Sequence, residues 1–81
     1  MARLVFLGRL ADLAGRSETT VSPGALGQVV LRLEPELTAA LTAILADPQV
    51  RIALNGTVVA VAPSYLAKGD ELAFLPPVSG G

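Results

Sequence analysis

Hydrophobic and polar positions change period several times along the chain, and each change marks the edge of an element. Residues 3–7 form a short apolar run with Leu4 and Phe6 on one face, Val5 and Leu7 on the other, and Gly8 at its end. Apolar side chains on both faces predict a strand buried on both sides. Leu10, Leu13 and Ala14 then fall at i, i+3 and i+4 before Gly15, which predicts one helical turn within a hairpin connection. The β-branched stretch Thr19, Thr20 and Val21 predicts a second strand over 18–22, closed by the Pro23-Gly24 turn.

From Ala25 the period lengthens. Leu26, Val29, Val30 and Leu33 stand at i, i+3, i+4 and i+7, the single stripe of an amphipathic helix. Pro35 interrupts it, because a proline disfavours the helical conformation at the residue before it yet fits a first helical turn. Two helical pieces are therefore expected, the second over 36–45 with Leu37, Leu41, Ile44 and Leu45 on one face.

Beyond Asp47-Pro48, Val50, Ile52 and Leu54 alternate with Arg51 and Ala53, and Asn55-Gly56 separates them from residues 57–61. Asn-Gly between two such runs predicts a hairpin closed by a type I′ turn, which needs positive φ at both central residues. Residues 62–67 read as a loop or single turn, and Lys68-Gly69-Asp70 as another turn. Leu72 and Phe74 alternate with Glu71, Ala73 and Leu75 in a last strand that Pro76-Pro77 ends, since neither proline can donate to a ladder. The order is strand, strand, helix in two pieces, strand, strand, strand. It predicts an α+β layer, a mixed five-stranded sheet packed against one main helix and a short second helix. The first and last strands are the most apolar, so they are the natural central pair, parallel by a right-handed crossover. That arrangement is the β-grasp (ubiquitin-like) fold, expected over residues 1–75.

At 81 residues a second domain would leave neither half a core. The hydrophobic share of 52% exceeds the usual ~45–50% of soluble domains. Either a dense apolar core or an apolar docking surface accounts for the excess. Six basic and seven acidic residues are spread along the chain, for a net charge of −1, so neither nucleic acid nor an anionic membrane is an expected partner. With no transmembrane-length apolar run and no signal-peptide order, a cytoplasmic protein is expected. Cysteine and histidine are both absent, which removes thiolate and imidazole metal ligands and two common catalytic groups. No bound metal or cofactor is expected.

The segment Pro76-Pro77-Val78-Ser79-Gly80-Gly81 carries no charged side chain. Extended at ~3.3–3.6 Å per residue, it would reach ~20 Å beyond the last strand. The prolines make a stiff exit, and Gly80 and Gly81 can pass a channel too narrow for any side chain. Its one distinctive group is the α-carboxylate of Gly81, ionised and unreactive at neutral pH, so an outside enzyme would have to activate it. With no apolar anchor beyond Val78, a mobile tail over 76–81 is expected. Arg9, Arg51 and Lys68 could meet acidic partner surfaces, and Phe74, Leu75, Val59 and Leu7 could form an apolar patch at the tail base, although Phe74 also suits the core. Asp12, Asp47 and Asp70 fit turns and caps without metal.

The octapeptide Phe74-Leu75-Pro76-Pro77-Val78-Ser79-Gly80-Gly81 resembles the C-terminal signature of the molybdopterin synthase small subunit (MoaD), in the MoaD/ThiS-type sulfur-carrier family. Residues 9–15, 52–56 and 66–72 (RLADLAG, IALNG and LAKGDEL) extend the resemblance over nearly the whole chain. It implies that an ATP-dependent E1-like enzyme adenylates Gly81 and a sulfur donor converts the adenylate to a thiocarboxylate. The tail, residues Pro76, Pro77, Val78, Ser79 and Gly80, would then insert into the synthase large subunit, in a heterotetramer, and give sulfur to cyclic pyranopterin monophosphate. Phe74 and Leu75 would meet the partner. The chain would then be a carrier subunit of a sulfurtransferase complex, with no catalytic side chain and with ATP used by the activating partner. A carrier for thiamine thiazole or cysteine synthesis, and a ubiquitin-like modifier, are the other readings of such a tail.

Overall fold

A computed structural model describes residues 1–77 of the chain. Five strands, β1 (Ala2–Phe6), β2 (Glu18–Val21), β4 (Arg51–Leu54), β5 (Thr57–Val59) and β7 (Glu71–Leu75), form one sheet in the order β2-β1-β7-β4-β5. The two most apolar strands are indeed neighbours and parallel, with Leu4 beside Leu72 and Phe6 beside Phe74. Every other pairing in the sheet is antiparallel. A separate two-stranded ribbon joins β3 (Gly24–Ala25) to β6 (Tyr65–Leu66). This mixed sheet with its helices is the β-grasp architecture expected from the sequence.

Three helices, α1 (Arg9–Ala14), α2 (Leu26–Leu31) and α3 (Pro35–Ala46), replace the expected pair. Gly15 ends α1 in the left-handed region at φ 78°, its N–H donating to Ala11 O, a common helix termination. Glu34, before Pro35, is extended at φ −57° and ψ 145°, as the proline ring demands. The break between α2 and α3 is bridged by Thr38, whose hydroxyl donates to Val30 O at 2.7 Å. The main helix is α3, which buries Leu37, Ala40, Leu41 and Ile44.

The core gathers Ala2, Leu4 and Phe6 from β1, Leu72 and Phe74 from β7, and the apolar stripes of the helices. At its centre Phe6 and Phe74 stack with ring centroids 5.5 Å apart, an arrangement that adds to area burial. No polar or charged residue is buried among the described residues.

Three expectations need correction. β1 is not buried on both faces: Val5 is half-buried and Leu7, beyond the strand, is exposed, because the helices cover only one side of the sheet. Residues 62–67 are more than a loop, since Tyr65 and Leu66 pair with Gly24 and Ala25 and Leu66 is fully buried. The first amphipathic helix stops at Leu31, which leaves Leu33 half-buried in the connection to α3. The Asn-Gly hairpin follows expectation, with φ of 51° at Asn55 and 84° at Gly56.

Removing either ring of the central stack leaves a cavity that a small core cannot close. Phe74→Ala is expected to cost about 3–5 kcal/mol, read as a fall in the urea midpoint. Leu13→Ala, on a largely exposed side chain, should change it by less than about 0.5 kcal/mol.

Candidate functional site

The tail leaves the sheet from the end of β7, the central strand, so its base is held on both sides. Leu7 N donates to Phe74 O at 3.0 Å on the β1 side, and Arg51 stands in register with Leu75 on the β4 side. Pro76 and Pro77 are half-buried. They border an open groove of about 770 Å³, lined also by Pro48, Arg51, Val58 and Val59. A second cleft of about 410 Å³ lies around Met1, Val21 and Arg32. Because β1 and β7 run parallel, that cleft is at the far end of the sheet from the tail.

Alternation sorts the strand residues onto two faces. Phe74 points into the core and is fully buried, so the expectation that it meets a partner is corrected: its ring is engaged by Phe6. Leu75 faces the uncovered side of the sheet and is half-buried. On that side Val5, Ala73, Ala53 and Val58 stand in register across four adjacent strands. The two small alanines at the centre, flanked by Val5, Leu75 and Val58, make a shallow apolar floor running up to the tail base. Leu7, continuing the alternation of β1, is 42% exposed at its edge. Val59 pairs with Ile52 on the opposite, helix-covered face and so belongs to the groove wall.

The sequence reading had found Leu7 and Leu75 of this face and missed Val5, Ala53, Ala73 and Val58. The Asn-Gly turn already set Ala53 opposite Val58. Their alignment with Val5 and Ala73 depends on pairings between strands far apart in sequence, which no local pattern carries.

Charges divide by end. Arg51 at the tail base is exposed and makes no ion pair among the described residues. Arg9 follows Gly8 at the same end. Lys68 is not brought to them, because Gly69 N donates to Met1 O at 3.0 Å and so holds that turn at the opposite end. There Arg3 pairs with Glu18 and with Glu71. Asp47 accepts from Gln49 N at 2.9 Å, the local turn role expected of it.

Asp70 ties two turns together. Its carboxylate accepts from Asn55 Nδ2 at 3.0 Å and from Ala67 N at 2.8 Å, while Asn55 Oδ1 accepts from Glu71 N at 2.8 Å. The hydrogen bond from Asn55, then that from Ala67, hold the Asp70 carboxyl below its ordinary range. This latch fixes where β7 begins, hence the register in which it delivers the tail. No cluster of His, Cys, Asp or Glu able to hold a metal ion occurs among the described residues. Val78, Ser79, Gly80 and Gly81, with the expectations placed on them, lie outside the described residues.

A mixed sheet of this topology, β2-β1-β7-β4-β5 with helices on one face, defines the ubiquitin-like β-grasp class. The chain belongs to the ThiS family of MoaD/ThiS-type sulfur carriers, whose family model matches residues 4–81. Among solved structures, it is similar to the small archaeal modifier protein 1 (SAMP1) of Methanosarcina acetivorans, with a TM-score of 0.74, 24% identity, and 99% of this chain and 95% of that one covered. Mycobacterium tuberculosis CysO aligns with a TM-score of 0.70 and 23% identity, covering 96% and 100%. A Pyrococcus furiosus protein provisionally named molybdopterin converting factor, subunit 1, aligns with a TM-score of 0.56 and 22% identity, covering 95% and 97%. No curated protein matches the sequence significantly. No helix among the described residues is long and apolar enough to cross a membrane.

The lowered pKa of Asp70 gives the latch a pH dependence. A depressed carboxyl stabilises the fold above its unfolded value of ~3.9 and loses that contribution as pH falls through the lower folded value. The stability gap between the wild type and Asp70→Ala is therefore expected to be widest near neutral pH. It should narrow below about pH 4, measured by urea denaturation across the range.

Proposed function

We propose that the chain is the sulfur-carrier subunit of molybdopterin synthase, working in the cytoplasm through the carboxylate of Gly81. The observation that carries this reading is the signature of residues 74–81, Phe-Leu-Pro-Pro-Val-Ser-Gly-Gly, on a strand that leads out between an apolar face and a groove. The provisional name of the Pyrococcus furiosus relative supports the same pathway.

The chemistry follows from the inertness of a carboxylate. Attack of a Gly81 oxygen on the α-phosphorus of ATP forms an acyl adenylate and releases pyrophosphate, which supplies the leaving group the carboxylate lacks. A sulfur donor then displaces AMP, leaving a thiocarboxylate, whose sulfur is a terminal nucleophile in a chain without cysteine. The groups that bind ATP and move protons belong to an E1-like adenylating enzyme. Pro76 and Pro77 aim the tail, and Val78, Ser79, Gly80 and Gly81 thread the active site of the large subunit, in a heterotetramer. There the sulfur passes to cyclic pyranopterin monophosphate. Leu75 and the apolar row of Val5, Ala53, Ala73 and Val58 form the surface on which both partners dock, with Arg51 at its edge.

A second reading has its own support, since the M. acetivorans relative is named a modifier protein: the activated Gly81 would then join a target lysine through an isopeptide bond. Incubation with ATP, an adenylating enzyme and sulfide separates the two. The carrier reading predicts an intact mass shifted by replacement of one oxygen by sulfur, and no shift when Gly81 is deleted or followed by an extra residue. Lysine conjugates without that exchange would establish the modifier instead.

Val58 is 55% exposed on the proposed docking face, so Val58→Asp is expected to weaken binding to the adenylating enzyme about tenfold. Circular dichroism should show the melting temperature nearly unchanged, and titration calorimetry reads the loss of affinity.

A further inference from the structure

Gly8 stands where the chain turns from β1 into α1, and the space a side chain would take there is bounded by the base of the tail. Its φ of 56° and ψ of −136° lie in a region open essentially to glycine alone. A Cβ at this position would sit 3.0 Å from Pro76 Cγ and 3.7 Å from Pro76 Cδ. The first distance is shorter than van der Waals contact, so the proline ring would have to yield.

Both sides of this contact are pinned. Leu7 N donates to Phe74 O at 3.0 Å, Leu10 N to Leu7 O at 3.1 Å and Ala11 N to Gly8 O at 3.1 Å. Gly8 thus follows directly on the last bond that joins β1 to β7, and Pro76 lies two residues beyond the same bond. The ring lies over the one place in the connection that carries no side chain, and Pro76 also borders the groove with Arg51 and Val58.

We propose that Gly8 is a positioning residue: its missing side chain seats Pro76 against the β1–α1 connection and so sets the direction in which the tail enters a partner's active site. This rests on the carrier reading above. A shift of a few tenths of an ångström at the base would turn a segment whose reach, were residues 77–81 extended, is ~17 Å, and misplacement of a reacting atom by ~1 Å can cost ~10²-fold in rate.

The test compares Gly8→Ala, Pro76→Ala and the double variant. Gly15→Ala is the reference, because Gly15 also has positive φ, 78°, but nothing within 4 Å of its added Cβ. Thiocarboxylate formation is measured with an adenylating enzyme, ATP and sulfide, and resolved into kcat and KM. Gly8→Ala is expected to lower kcat about tenfold with KM nearly unchanged, since the docking face is intact. The double variant should return to the rate of Pro76→Ala alone, although the backbone strain at position 8 persists. Gly15→Ala should lower the melting temperature and leave the rate untouched.

Full activity in Gly8→Ala, or a loss that Pro76→Ala does not recover, would overturn the proposal. Should Gly8→Ala fail to fold, Pro76→Ala alone decides: the unseated exit predicts about a threefold fall in kcat at unchanged melting temperature, and an unaltered kcat refutes it. Should the wild type itself take up no sulfur, the carrier reading fails first. The melting temperatures of the same four proteins (wild type, two singles, double) still judge the contact, which additive losses would refute and non-additive losses uphold.

Discussion

The parallel pairing of β1 with β7 joins the two ends of the sequence at the centre of the sheet, and the other elements are arranged around it. Its register places Phe6 beside Phe74 on the covered face and Val5 beside Ala73 on the open one. The covered side gains the stacked rings and the stripes of three helices. The open side keeps a row of small and medium apolar residues on which no helix is packed among the described residues, although the central Ala53 and Ala73 are themselves buried. Slipping β7 by one residue in that register would turn its two faces over, moving Glu71 and Ala73 to the covered side and exposing Phe74 while Phe6 stayed inside. The core, the open apolar row and the tail exit are therefore consequences of one alignment, which the Asn55–Asp70 latch helps to fix from the far end of β7.

What local pattern controls was legible in the sequence. Asn55-Gly56 gave the hairpin, Pro35 the break between helices, and Pro76-Pro77 the end of the last strand, because each acts on its own neighbours' backbone. The central parallel pair was also legible, since two short apolar strands at opposite ends of a small α+β chain have few other places to go. Sequence reading failed where distant pairing decides. Val5 and Leu7 read as buried until the placement of all the helices on one side left their face open. Tyr65 and Leu66 look like loop in a stretch holding Pro63 and Ser64, and only the encounter with Gly24 and Ala25 makes them a ribbon. Phe74 was offered to the partner and to the core at once, and the position of Phe6 settles it for the core.

The candidate site divides its work in the same way. The folded body contains no buried charge among the described residues and no cysteine or histidine. It offers a surface, a stiff exit and an orientation. On the carrier reading proposed above, reactivity is conferred by the enzyme that charges the chain, whose own residues govern which partner meets the tail and at what angle. On the proposed reading, Gly8 in the first connection is as much a part of the site as the residues of the tail itself.

The place of β7 in the middle of the sheet also bears on synthesis. Residues 1–70 contain β1 and β4 but not the strand that separates and bonds them, so a nascent chain cannot complete its core until Glu71–Leu75 has cleared the ribosome. Chains released early would lack the fold as well as the tail, and cellular proteases would remove them. Among molecules that survive, possession of a folded body certifies that translation has run at least to the base of the tail, a form of proofreading that comes from topology alone.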